Sequence, residues 1–197
     1  MISGVFTCTH RHNGIVKVLS DACIGTYFGG HREVSGLLGG GNGKKPGDVL
    51  LFGYKDATDA AVDVSVTSVE LQHLPKRNFS SMVNLPEEIF LLNIREIMVT
   101  SANSPFTAVE DRKYKAVGEL CKQHNLLFKV FAVGAFGGYG DTAIEVLYTI
   151  AAQRAIQDDV TESVALRRIC MDISLVLQRS QAAAILHRGV AVDCMYY

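Results

Sequence analysis

The chain has 197 residues, a hydrophobic content of 48%, a charged content of 20% and a formal net charge of -1. This length and hydrophobicity suit one domain with a substantial core, and the balanced charge argues against both a strongly basic nucleic-acid-binding chain and an acidic tail. A local basic face would be enough to bind DNA, so a DNA-binding protein is not excluded.

The cysteines and the N-terminus indicate the cellular environment. Five cysteines, an odd number without a C-x-x-C pair, argue against a disulfide framework and against a zinc ribbon. The N-terminal segment MISGVFTCTHRHNG lacks a basic stretch followed by an apolar run, so no signal peptide is expected. No stretch reaches the roughly 18 consecutive apolar residues of a membrane span. The sequence therefore predicts an intracellular protein with reduced thiols and no membrane partner.

The first third of the chain alternates helix and strand patterns. Apolar residues at helical spacing predict a first helix over 14–28, with Asn13 as its N-cap. Three strands are expected next, separated by glycine-rich or polar turns: His31–Leu38, Val49–Phe52 and Ala60–Val66.

The rest of the chain begins with an insertion over 69–105, in which a loop around Pro75, a helix beginning at Pro86 and an extra strand at Ile97–Thr100 are expected. Three helices and one strand are then expected in this order: helix 107–124, strand Leu126–Val133, helix Asp141–Gln157 and helix 160–188. Residues 189–197 are expected to form a tail. This succession predicts a single α/β domain over 1–197, with a small mixed central sheet flanked by helices.

Two carboxylates stand where buried strands should carry none. Asp48 heads the first strand of a predicted hairpin, and Asp63 lies inside the second, on the face opposite its valines. If the strands pair, Asp48 can come close to Asp63. Two adjacent carboxylates repel each other, and the usual solution is a divalent cation or a shared proton. The alternatives are that Asp48 is a turn residue and that Asp63 forms an ion pair with Lys113 or another base.

These features, in this order, resemble the PD-(D/E)XK nuclease superfamily, in particular the restriction-like endonuclease domain of site-specific non-LTR retrotransposon polyproteins. The resemblance covers about 10–188 and rests on five segments: Arg11-His12-Asn13 opening a helix, Glu33 on the next strand, Lys45-Pro46-Gly47-Asp48, Asp63-Val64-Ser65-Val66 and Arg112-Lys113-Tyr114. The strand and glycine-rich turn FKVFAVGAFGG also fit. The resemblance implies a restriction-endonuclease-like core.

The resemblance further implies a DNA endonuclease that uses Mg²⁺ or Mn²⁺. Asp48, Asp63 and Glu33 would hold the metal, and the same three residues with Lys113 would be catalytic. The usual Asp-x-Lys lysine is absent because Ser65 occupies its position, and Lys113 is the candidate that replaces it. Phosphate contacts are expected from four basic residues, Arg11, Lys44, Lys45 and Arg112. The implied partner is DNA, and in a eukaryote the implied location is the nucleus. The sequence leaves open whether the protein is a homodimer and whether the chain belongs to a larger reverse-transcriptase polyprotein.

Other functions compete with the nuclease. The absent lysine keeps open a nuclease-fold remnant that binds nucleic acid or a protein without cutting. The segment GGGNGKK lacks the first glycine and the final Ser or Thr of a phosphate-binding loop. The segment 138–143 fits G-x-G-x-x-A, but a helix follows where a second strand should be, which favours a tight turn against the sheet over a dinucleotide site. A small-molecule site at Gly137–Gly140 is the third alternative.

Overall fold

The computed structural model describes residues 3–38, 45–67, 105–135 and 137–193. Its helices and strands are α1 (Ser3–Cys23), β1 (His31–Arg32), β2 (Val49–Lys55), β3 (Thr58–Thr67), α2 (Pro105–Lys113), a π-helical turn (Tyr114–Gly118), α3 (Glu119–Gln123), β4 (Leu127–Gly134), α4 (Asp141–Asp158) and α5 (Glu162–Asp193). The described residues therefore form a mixed α/β structure in the predicted order. The insertion predicted over 69–105 lies outside them, apart from Pro105.

The four strands form one sheet in the order β1-β2-β3-β4. The β1–β2 and β2–β3 pairs are antiparallel, whereas β3 and β4 are parallel, with Asp63 opposite Val130. The sheet is therefore mixed, as predicted. A parallel pair needs a long crossover connection, and the chain between β3 and β4 supplies it.

The predicted hairpin is formed by β2 and β3, which are longer than the apolar runs alone indicated. Lys55 pairs with Thr58 across a turn whose two central residues, Asp56 and Ala57, have φ of 50° and 59°. Such a turn matches the twist of antiparallel strands, so the strands continue up to it. Near the turn the register shifts between Leu51 and Lys55, a stretch of β2 in which Gly53 has a φ of 58°.

Each sheet face is buried under helices. Val62 and Val64 of β3 pack with Phe131 of β4 against α1, α4 and α5, as the period-2 alternation predicts. The opposite face carries a smaller cluster in which Ala61 and Val130 pack with residues of the α2–α3 segment. Asp63 lies on this second face because it alternates with the valines.

Helix α1 differs from its prediction because it begins at Ser3, and Asn13 lies inside it and not at its N-cap. Asn13 is exposed, and an asparagine in a helix interior costs only a few tenths of a kcal/mol. Two side chains just before Asn13 make tertiary contacts that stabilise this part of the helix. His10 Nδ1 lies 3.3 Å from Ser180 Oγ, and His12 contacts Asp48.

The predicted helix 107–124 begins at Pro105 and is divided by the π-helical turn, and two further elements differ clearly from the sequence prediction. Strand β1 has two residues and not eight, because Glu33 adopts a φ of 53° and turns the chain. Helix α5 is unbroken and continues to Asp193, so the first part of the predicted tail is helical. By length and composition the segment Glu162–Leu186 of this helix could cross a membrane. Its most apolar part has a mean hydropathy of 1.2, and 28% of that part is buried in the protein.

The glycine-rich turn before α4 packs against the sheet. The Gly140 amide donates to the Ala132 carbonyl at 2.9 Å, and Tyr139 bridges to Val133. A Cβ at Gly140 would lie 2.4 Å from Glu110 Oε1, so the carboxylate of Glu110 occupies the space at the N-terminus of α4. The mixed sheet also contradicts the all-parallel sheet that a dinucleotide site predicts.

Candidate active site

Asp48 is held at the end of the β2–β3 ladder by its own backbone and side chain. Its amide donates to the Val62 carbonyl at 2.8 Å, and its Oδ2 accepts from the Val64 amide at 2.7 Å. In a regular antiparallel ladder the Val64 amide would donate to a backbone carbonyl of the opposite strand. Here the Asp48 carboxylate accepts this hydrogen bond instead. Gly47 permits this approach, because a Cβ there would lie 2.8 Å from the Val62 carbonyl oxygen.

The same oxygen of Asp48 lies 3.0 Å from His12 Nε2, on α1. The Asp48 hydrogen bond raises the pKa of His12 above its usual 6.5, in spite of the opposing effect of burial. Burial disfavours the charge of Asp48, but the hydrogen bonds from His12 and Val64 outweigh it and lower the pKa of Asp48 below its usual 3.8. The two residues therefore form a charged pair at weakly acidic pH.

Asp63 is the more deeply placed of the two carboxylates. Its Oδ2 lies 2.9 Å from Lys113 Nζ, with 20% of the Asp63 side chain and 35% of the Lys113 side chain exposed. This buried oxygen receives no well-aligned hydrogen bond within the described residues. Burial raises the pKa of Asp63, and the neighbouring Asp48 charge adds to that, although Lys113 and His12 act in the opposite direction. The site thus holds two carboxylates and two bases in electrostatic contact.

Lys113 reaches Asp63 from the last residue of α2, where the helix changes to the π-helical turn Tyr114–Gly118. Single π-helical turns are rare and occur often at functional sites. The turn is packed closely, because a Cβ at Gly118 would lie 2.9 Å from ring atoms of Tyr114. The Tyr114 ring in turn lies 6.3 Å from the Phe128 ring, between centroids. These contacts fix the end of α2 over the face of the sheet that carries Asp63.

The side chain of the predicted metal ligand Glu33 is not brought into this cluster. Glu33 and Lys45 form an ion pair of 2.7 Å at the surface, with 64% and 46% of their side chains exposed. The Glu33 amide does donate to the Asp48 carbonyl at 2.9 Å, so only its backbone touches the site. Arg11 is half-buried on α1 and Arg112 is exposed on α2. Lys44 lies outside the described residues.

His12 is the residue that the sequence did not single out. It was part of the Arg11-His12-Asn13 segment, but it is separated by 36 residues from the carboxylate that it contacts. No spacing rule links residues so far apart, so only the packing of α1 on the sheet could reveal the pair. Across the described residues, no three His, Cys, Asp or Glu side chains form a preassembled metal site.

We expect the His12–Asp48 pair to make stability depend on pH. Because the pKa of His12 is raised and that of Asp48 is lowered, the pair contributes fully between about pH 3.8 and 6.5, and its contribution is lost as pH rises through the folded-state pKa of His12. His12→Ala should cost about 1 kcal/mol of unfolding free energy near pH 5.5 and less near pH 9, since both side chains still reach solvent. Urea unfolding at the two pH values measures this.

The exposed His124 provides the control, because its side chain forms no ion pair with a described carboxylate, so that His124→Ala should cost little unfolding free energy. A cost of His12→Ala that is the same at both pH values would show that the pair does not form.

Comparison with models of known families, with curated proteins and with solved structures finds no match for this chain. The two carboxylates, Asp48 and Asp63, can bind a cation. The Lys113 ammonium and the His12 imidazole can orient a water molecule and neutralise a phosphate.

Proposed function

We propose that this protein is a metal-dependent DNA endonuclease of the PD-(D/E)XK type, with a restriction-endonuclease-like core related to those of retroelements. The contact of 2.9 Å between Lys113 and Asp63 is the observation that carries the proposal. It supplies from α2 the lysine that Ser65 replaces in the Asp-x-Lys motif. Asp48 stands at the start of the neighbouring strand, as the motif order requires.

The carboxylates fit a divalent metal. Asp48 and Asp63 would hold Mg²⁺ or Mn²⁺, since Mg²⁺ prefers one or two carboxylates and completes its shell with water and substrate phosphate. The buried Oδ2 of Asp63, without a well-aligned hydrogen bond from the described residues, is a suitable cation ligand. When bound, the metal would supply a more acidic water molecule and neutralise phosphate charge. Glu33 would have to leave Lys45 to contribute as a further ligand.

The bases of the site have separate tasks in this proposal. Lys113 would orient the attacking water and neutralise the negative charge that develops on the phosphate. His12 holds the Asp48 carboxylate against the Val64 amide and so fixes its direction. Arg11, Lys45 and Arg112 would contact phosphates of the DNA backbone outside the site, which positions the duplex without reading its sequence.

Nicking of supercoiled plasmid with Mg²⁺ or Mn²⁺ tests the proposal. We expect metal-dependent nicking by the wild type and a loss of more than about 100-fold in Asp63→Ala, a larger effect than the loss of a residue outside the metal shell. Glu145→Gln is the matched control, because Glu145 also forms an ion pair with a lysine, Lys129, at 2.7 Å. This pair does not belong to the site and contains neither Asp48 nor Asp63. The variant should keep nearly full activity.

The absence of nicking with either metal, or equal nicking by Asp63→Ala, would overturn the catalytic assignment. Folding of each variant is checked by its thermal unfolding curve, so that a misfolded variant is not mistaken for an inactive one.

A nuclease-fold remnant that binds nucleic acid without cutting is the second candidate. The observation that favours it is that each carboxylate is already paired with a base of the chain, Asp48 with His12 and Asp63 with Lys113. A metal would have to compete with both pairs. This candidate predicts DNA binding that weakens steeply with salt, with no strand cleavage under any metal.

A further inference from the structure

Helix α5 has an apolar stripe on its outward side. Its large exposed hydrophobic residues are Met171, Leu175, Ile185 and Leu186, with 38%, 43%, 69% and 69% of their surface accessible. At 3.6 residues per turn these four lie within about 100° of the helix circumference. The opposite side carries the buried residues that pack against the rest of the protein, including Ile173 and Leu177. The outward stripe is therefore a second apolar face without a partner among the described residues.

A groove beside this stripe extends the apolar surface. It lies between α1, α5 and the end of α4, and it has a volume of about 460 Å³. Apolar residues such as Ile169, Leu175 and Val176 line it together with charged residues of all three helices. Helices α1 and α5 approach each other closely at Gly14, where a Cβ would lie 2.5 Å from Val176. The groove thus forms a shallow, partly apolar channel that runs along Leu175.

Two opposite charges flank the centre of this surface. Asp172 lies three residues before Leu175 and Arg179 lies four residues after it, so both are on the same side of α5. Both line the groove and are exposed. Neither forms an ion pair with a described residue, whereas Arg168 on the same surface lies 3.5 Å from Asp158. An acid and a base in this order, on either side of Leu175, are self-complementary in an antiparallel arrangement.

We propose that this surface of α5 binds a second copy of the chain, with the two α5 helices antiparallel and a two-fold axis at Leu175. Such an interface uses the same patch of both subunits, so every contact away from the two-fold axis occurs twice. Asp172 of one subunit faces the partner's Arg179, and Leu175 packs against the partner's Leu175 in the grooves. A parallel arrangement would place like charges opposite each other, which disfavours it. The proposal is independent of the nuclease activity.

Exchange of the two charges tests the arrangement. The full chain should have a mass near twice 21.4 kDa by light scattering after size exclusion. Asp172→Arg and Arg179→Asp should each weaken the dimer by more than about tenfold, because each places two like-charged pairs in the interface. The double variant should restore the dimer. An equimolar mixture of the two single variants should form a mixed dimer, since the exchanged side chains then meet opposite charges across the interface.

Glu119→Arg makes the same change of charge on exposed α3 and should leave the dimer intact. A wild type that stays monomeric up to its solubility limit, a dimer insensitive to the exchanges, or a mixture that stays monomeric would each overturn the proposal. A monomer that co-sediments with phosphatidylcholine vesicles would assign the apolar stripe to a membrane surface, and this result would overturn it too.

Discussion

Lys113→Met should reduce plasmid nicking by about 10²–10³-fold, because it removes a preorganised positive charge from the site while keeping the length of the side chain. The affinity for DNA should change far less, because the substitution removes at most one of several phosphate contacts. The stability cost should be about 1–2 kcal/mol. That is below the roughly 3–5 kcal/mol of a fully buried pair, because Asp63 and Lys113 both retain some contact with solvent.

Lys129→Met is the matched control for this substitution. Lys129 also pairs with a carboxylate, Glu145, at 2.7 Å, and its ammonium lies 5.9 Å from the centre of the Tyr54 ring. It should therefore cost a similar amount of stability and leave nicking within about threefold of the wild type. Equal nicking by Lys113→Met and the wild type would remove Lys113 from the catalytic assignment.

A measurement without catalysis tests the same contact. Carbon-detected NMR of the carboxyl groups follows the titration of Asp63 directly. Lys113 opposes the effect of burial on the pKa of Asp63, so this pKa should rise further in Lys113→Met. An unchanged titration would show that the ammonium does not lie beside the carboxylate in solution.

Phe131→Ala should destabilise the protein by about 3–5 kcal/mol, because it removes a large side chain from the centre of the core and leaves a cavity. Phe131 has no accessible surface, lies on β4, and packs edge-to-face on Tyr139 with 6.1 Å between ring centroids. The free energy of unfolding in urea measures the cost.

Phe52 provides the comparison, since 40% of its surface is exposed. Phe52→Ala should cost less than about 1 kcal/mol, because much of its ring is already in water and no cavity forms. Similar costs for the two substitutions would mean that β4 is not at the centre of the core.

The strands and their faces could be predicted from local patterns. The alternation of valines with Asp63 determines which side chains of β3 point into the main core, and the structure confirms it. The hairpin follows from two apolar runs and a polar turn between them. The N-terminal half of α1 could not be predicted, because the contacts of His10 and His12 within it are made with α5 and Asp48.

The sequence alone placed Asp48 and Asp63 on neighbouring strands, because side-chain alternation and hairpin pairing are local properties. It also named Lys113 as a base for Asp63, both through the motif order and as an ion-pair alternative. Only the tertiary structure decided that β4 pairs in parallel with β3, that α2 lies over the face of Asp63, and that His12 lies 3.0 Å from Asp48. These contacts join residues far apart in the chain. They form because each face of the sheet is buried under different helices, and the local sequence pattern carries no information about that burial.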